Sequence, residues 1–287
     1  MRFAVFTAST PEWTPQEAAT ALAAQGWDGI EWRVTDQDDA PHPGFWAGNR
    51  ATWPLTGLED NVAAMARVAR DAGLECSAVG GYAPAADHAN VERLLAATAA
   101  LGAHRLRVWM PATGTGHYGE VFEATRRDVE WAVTRAAQHD VQLLIELHHR
   151  TVVASASAAL RLVDGLDPAH VGVIHDVGNL VIEGYEDALS AFQLLGPYLA
   201  HVHVKNAAWE RVGQDGDGAV LWESRWVPLR EGQADLAAYF GALHAHGYDG
   251  WVTVEDFSTA VPLAERTRDN LAYVRELSAR AAGAARG

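Results

Sequence analysis

Eight short runs rich in β-branched and aromatic residues alternate with eight longer, alanine-rich runs over the whole chain. The short runs are Phe3–Ala8, Gly29–Val34, Glu75–Gly80, Arg105–Met110, Val141–Leu147, Val171–Asp176, Leu199–Lys205 and Gly250–Glu255. Strictly alternating strands and helices are the pattern of a parallel sheet with crossover helices. The helix signals are physical. Thr14, Pro15 and Glu17 form a capping box with proline in the first turn, and Gly26 and Gly73 supply stops. Further helices are expected over Asp87–Leu101, Tyr118–His139, Ser155–Val163, Glu186–Leu194, Ala234–His246 and Pro262–Ala282. Eight such units close into a single-domain (β/α)8 TIM barrel over residues 1–287. An open doubly wound sheet normally carries a glycine-rich phosphate turn after its first strand, and Ala8–Trp13 contains no glycine.

Two connections exceed what a barrel needs: 35–56 and 206–232. Both follow strands, so both belong at the C-terminal mouth, where they are expected to cover the site. The Ala/Arg/Gly-rich stretch after Leu277 reads as a frayed end.

Composition narrows the partners. With 22 basic and 37 acidic residues the net charge is −15, which repels nucleic acid and anionic lipid. The single cysteine, Cys76, forms no intrachain disulfide and reads as a small buried hydrophobe. The chain opens on a strand rather than a signal peptide, and no apolar run is long enough to span a membrane. A cytoplasmic protein is expected, with homo-oligomerisation left open.

Acidic and histidine residues end four consecutive strands. Strand five ends in Glu146, strand six in Asp176, strand seven carries His203 and strand eight ends in Glu255. Barrel strands alternate inward and outward with period two, so these side chains converge on the mouth. Ionised groups at the ends of such apolar runs are costly unless they are paired or bind a metal. Three carboxylates and one imidazole suit one divalent ion, Mn²⁺, with Mg²⁺, Co²⁺ or Zn²⁺ as alternatives.

Gly29-Ile30-Glu31, Ile145-Glu146-Leu147-His148, Asp176-Val177-Gly178-Asn179, His201–Asn206 and Val254-Glu255 resemble motifs of the xylose isomerase-like barrels, in their sugar phosphate isomerase/epimerase branch. The run Val227–Gly232 is similar to that family's loop before the last βα unit, and the likeness spans the chain. The resemblance implies that Glu146 and Glu255 are both metal ligands and the acid/base pair, with Asp176 and His203 completing the site. It also implies a small sugar or polyol substrate. Ketose 3-epimerases of the family carry a substrate-contacting histidine three residues after the metal aspartate; Asn179 stands there in this chain. Arg230 stands where some members have glycine.

The reaction expected of such a site is proton abstraction next to a carbonyl, through an enediolate, giving epimerisation or isomerisation. Loss of a β-hydroxyl from a keto-sugar or keto-inositol is the alternative, and a non-catalytic sugar-binding barrel is a third. Candidates for substrate contact are Glu31, His148, Asn179, Lys205, Arg225 and Trp13. A salt bridge with a residue such as Arg33 is the structural alternative for Glu31. Trp46, Trp53, Trp209, Trp222 and Trp226 fall in the same loops and suit the apolar faces of a sugar. A repair endonuclease on this fold would need more metal ligands and a basic face, and a two-metal aldose isomerase would need further carboxylates near strand seven.

Overall fold

The computed structural model describes residues 1–284. Ten strands form among the described residues: β1 Arg2–Phe6, β2 Gly29–Val34, β3 Glu75–Pro84, β4 Arg105–Trp109, β5 Gln142–Glu146, β6 Val171–Asp176, β7 Leu199–Val204, β8 Asn206–Gln214, β9 Val220–Val227 and β10 Trp251–Val254. Eight of them close a parallel barrel in the order β1-β10-β7-β6-β5-β4-β3-β2, while β8 and β9 pair separately as an antiparallel ribbon. Nine α-helices are described: α1 Pro15–Gln25, α2 Leu58–Asp71, α3 His88–Ala100, α4 Tyr118–Gln138, α5 Ala156–Val163, α6 Val177–Glu183, α7 Ala188–Leu195, α8 Leu236–His246 and α9 Leu263–Ala284. No helix among the described residues is long and apolar enough to cross a membrane.

Period-two alternation sorts each strand. Ile30, Trp32, Leu143, Ile145, Val202, Val204 and Val254 belong to the main core between barrel and helices. A small interior cluster of Ala78, Leu144 and Ile174 forms separately. Polar and charged residues then crowd the interior around Glu31, Arg107, Glu146, Asp176, His203 and Glu255, all buried.

The capping box is present, with Glu17 N donating to Thr14 Oγ1 at 3.3 Å and Thr14 N to Glu17 Oε2 at 2.7 Å. The second long connection is not an irregular lid: it is the β8–β9 ribbon, followed by a short turn. The stretch after Leu277 is not frayed up to Ala284, because α9 continues through it; residues 285–287 lie outside the described residues. Cys76 is half-buried against the core, and burial pushes its thiol up to about 12, which makes it an inert filler.

The sequence reading had no helix over Val177–Glu183. Asp176 caps it, its Oδ1 accepting Asn179 N at 3.0 Å. This turn lies against the chain just after β7: a Cβ on Gly178 would sit 2.9 Å from Lys205 O and collide with the Lys205 side chain. Gly178→Ala is therefore expected to destabilise by about 1–3 kcal/mol, the scale of overpacking. Urea unfolding would measure it, and an unchanged midpoint would mean that the β7 end yields freely.

Candidate active site and metal centre

Glu146 and Asp176 end β5 and β6, His203 is the penultimate residue of β7, and Glu255 follows β10 directly. One ligand atom from each lies within 4.8 Å of all the others. His203 Nδ1 is 3.1 Å from Glu255 Oε1, 3.5 Å from Glu146 Oε1 and 3.9 Å from Asp176 Oδ2. His203 Nδ1 and Asp176 Oδ2 are buried without an aligned hydrogen-bond partner. Orphaned donor atoms aimed at one point, three of the four groups being hard oxygen ligands, fit a divalent cation.

Two buried cations brace this cluster. Arg107 Nη1 donates to Glu146 Oε2 at 2.6 Å. Lys205 Nζ lies 2.6 Å from Glu255 Oε2 and 2.6 Å from Asp176 Oδ2, the latter a charge contact rather than an aligned hydrogen bond. Burial works against the Glu146 carboxylate, yet Arg107 and the neighbouring His203 and Lys205 hold it well below the usual range. Glu255 is likewise lowered, with Lys205 and His203 outweighing burial. Asp176 behaves oppositely: burial raises it, Lys205 offsets part of this, and repulsion from Glu255 and Glu146 adds to it, so it stands at about 7. For His203, burial disfavours the imidazolium, but Glu255 and Glu31 outweigh it and raise the group well above its ordinary value.

Above the cluster lies a cavity of about 350 Å³. Its wall is aromatic: Trp46, Tyr82, Trp109, Trp226 and Phe257, with His148 and His149. Each long connection delivers one tryptophan, Trp46 from 35–56 and Trp226 from the ribbon. Tyr82 and Trp109 stack with centroids 5.5 Å apart, and the Arg107 guanidinium lies 4.4 Å over Tyr82. A crevice of about 440 Å³ between α6, α7 and α8 is larger, but it lies outside the barrel and holds none of these groups.

The remaining sequence candidates divide. His148 and Lys205 line the cavity. Burial pushes His148 down to about 4, so the imidazole is neutral, and its Nδ1 lies 2.9 Å from His149 O. Glu31 does not line the cavity and makes no pair with Arg33. It is fully buried beneath the mouth, where its Oε2 meets His201 Nε2 at 3.0 Å and His203 Nε2 at 3.2 Å. Arg33 instead donates to Gln37 and Thr52. Asn179 does not line the cavity either but sits behind two residues that do: its Nδ2 donates to Glu146 Oε1 at 3.2 Å and Leu147 O at 3.1 Å, and its Oδ1 faces His149 Nδ1 at 2.9 Å. Arg225 points off the ribbon to Glu210 at 2.8 Å, exposed. Trp13 packs on the outer core, Trp53 meets Trp32 edge-on, Trp209 donates to Val181 O, and Trp222 is exposed. Arg230 pairs with Asp269 on the surface. Arg107, Tyr82, Trp109, His149 and Phe257 escaped the sequence reading. For two of them a signal existed: Arg105, Arg107 and Trp109 share one face of β4 by alternation.

Comparison with known proteins agrees with this architecture. An inosose dehydratase of Bacillus velezensis is 30% identical over 137 residues, 45% of each chain. The chain thus aligns with about half the length of that curated relative. A 3-keto-D-glucoside 4-epimerase from E. coli superposes with a TM-score of 0.70 at 19% identity, covering 96% of this chain and 99% of the other. A xylose isomerase-like barrel protein from Mycobacterium smegmatis, solved in complex with magnesium, gives 0.71 at 18% identity over 98% and 97% of the two chains. Residues 19–277 match the family described as the xylose isomerase-like TIM barrel, and the chain belongs to it.

Proposed function

We propose that this protein is a divalent-metal-dependent enzyme that removes the proton next to the carbonyl of a small keto-polyol, and that the enediolate then loses a β-hydroxyl as water. The convergence of Glu146, Asp176, His203 and Glu255 on one point of an aromatic-walled cavity carries this reading. The ion, Mn²⁺ or else Mg²⁺, Co²⁺ or Zn²⁺, would supply Lewis-acid stabilisation of the charge developing on oxygen.

The chain's own residues prepare the rest. Arg107 and Lys205 neutralise two of the three ligand carboxylates. With the ion's two charges the centre carries one net positive charge, which complements one negative charge on the enediolate. Arg107 and Lys205, the cations that line the cavity, are both engaged with these carboxylates, and Arg225 is turned outward, so no lining cation is free for a phosphate. The aromatic wall suits the C–H faces of a polyhydroxylated ring while excluding water. Glu146 or Glu255 takes the α-proton, the C–O bond at the β-carbon breaks, and the leaving hydroxide is protonated, so that water and a carbon–carbon double bond result.

The choice of dehydration is supported by the sequence-level likeness to inosose dehydratases and by Asn179, which is tied to Glu146 and Leu147. A second reading, epimerisation or isomerisation, shares the first step; it is favoured by two carboxylates from non-adjacent strands, Glu146 on β5 and Glu255 beyond β10. Keto-inositols and keto-sugars incubated with the Mn²⁺-loaded protein in D₂O separate these outcomes by NMR. Dehydration gives an unsaturated product lacking one hydroxyl. Epimerisation gives a deuterated stereoisomer with all hydroxyls retained. Tight binding of the panel with neither proton exchange nor product would leave a sugar-binding barrel and end the enzymatic reading.

A further inference from the structure

We propose that Glu31 is a positioning residue for the metal centre, fixing the His203 ring so that its Nδ1 lone pair faces Glu146, Asp176 and Glu255; the inference rests on the metal-dependent reading above. The two nitrogens of His203 point in opposite senses. Nδ1 faces the carboxylates, with Glu255 Oε1 at 3.1 Å, while Nε2 faces down the barrel to Glu31 Oε2 at 3.2 Å. An acceptor-only carboxylate at Nε2 requires the proton there, which leaves Nδ1 free to ligate.

Among the described residues, the hydrogen bonds of Glu31 go to His201 and His203. It is fully buried, its Oε1 has no hydrogen-bond partner, and its Oε2 serves only His203 and His201. His201 Nε2 is held in turn by Thr253 Oγ1 at 2.9 Å. A buried carboxylate with so few partners is costly, and an apolar residue there would be cheaper for the fold alone. The ring is also clamped sideways. Phe6 stacks on His203 with centroids 6.0 Å apart and 22° between planes. Gly80 gives Phe6 its room, since a Cβ there would strike the Phe6 ring. Fixing both tautomer and ring plane is how an outer carboxylate strengthens an imidazole ligand.

The test compares wild type, Glu31→Ala and Glu31→Gln as full chains. Mn²⁺ affinity by titration calorimetry should weaken by roughly 10–100-fold in Glu31→Ala. Glu31→Gln, whose amide oxygen still accepts the Nε2–H, should lose less. The Co²⁺-loaded wild type should show one strongly shifted, solvent-exchangeable proton in its NMR spectrum, from His203 Nε2–H, and Glu31→Ala should lose it. A merely structural role would lower the melting temperature without moving this signal in the folded variant. If Glu31→Ala does not fold, Glu31→Leu, which fills the volume but offers no acceptor, decides by the same two measurements. Glu31→Ala or Glu31→Leu binding Mn²⁺ within about threefold of wild type, outside the range an outer-sphere loss produces, and keeping the shifted proton would overturn the role of Glu31 alone. A wild type that binds no divalent ion would overturn the metal reading and this inference with it.

Discussion

Glu146→Gln and Glu255→Gln are each expected to cut turnover by roughly 10²–10⁴-fold, the scale of a lost general acid or base. The amide keeps the shape and hydrogen-bond reach of the carboxylate but cannot take a proton at neutral pH. The two variants should differ in stability. Glu146 is the hydrogen-bonded carboxylate of Arg107, which is buried and otherwise donates only to Gly81 O. Removing that charge leaves Arg107 without a counter-ion and should cost about 1.5–3 kcal/mol, the range for a hydrogen bond to a charged group. Lys205, by contrast, keeps Asp176 when Glu255 is neutralised. Rates must be read beside metal content by elemental analysis, since both residues also belong to the proposed ligand set. If both variants turn over at near wild-type rate with metal bound, proton transfer belongs elsewhere, and His148 and Lys205 on the cavity wall are next in line.

The barrel was legible because strands and helices leave different periods in a chain. Each of the eight barrel strands lies where β-rich runs predict it, and the four metal-capable residues could be placed on one face because alternation is rigid. The failures are equally physical. Glu31 was a candidate for the mouth, but it is the third residue of β2, which runs on to Val34, so it sits below the mouth against His201 and His203. Asn179 was a substrate candidate because it stands where the resemblance puts a substrate-contacting histidine, and α6 was not foreseen. On that helix its backbone N–H is capped by Asp176, and its side chain turns toward Glu146 and Leu147. The loop tryptophans could not be sorted at all. Loops have no period, so nothing in the sequence separates Trp46 and Trp226, which reach the cavity, from Trp13, Trp53 and Trp209, which pack elsewhere. Arg107 was readable from β4 alternation, but an arginine inside a strand gives no sign that its partner lies on the adjacent strand, on Glu146.

Metal affinity is expected to rise steeply with pH up to and through about 7, because the centre must shed protons to bind an ion. Two groups set the sign. Asp176, raised to about 7 by burial and by the neighbouring Glu255 and Glu146, is largely protonated in acid without the ion, and ligation requires its carboxylate. His203 is raised too, and ligation requires Nδ1 without its proton. Each proton displaced steepens the dependence by about tenfold per pH unit. Lys205 adds a different competition. Its ammonium lies 2.6 Å from both Asp176 and Glu255, where it offsets the charge an ion would meet, and those carboxylates, outweighing burial, keep it protonated throughout this range. It therefore lowers affinity once the carboxylates are ionised, and Lys205→Met should bind Mn²⁺ more tightly at high pH, with its acid limb moved to higher pH because Asp176 loses the charge that partly holds its carboxylate down. Calorimetry in buffers of different ionisation heat counts the protons directly. At least one proton released per ion at pH about 6 is expected from this linkage; an affinity that is flat across the acid range, with none released, would mean that Asp176 and His203 are not the groups the ion meets.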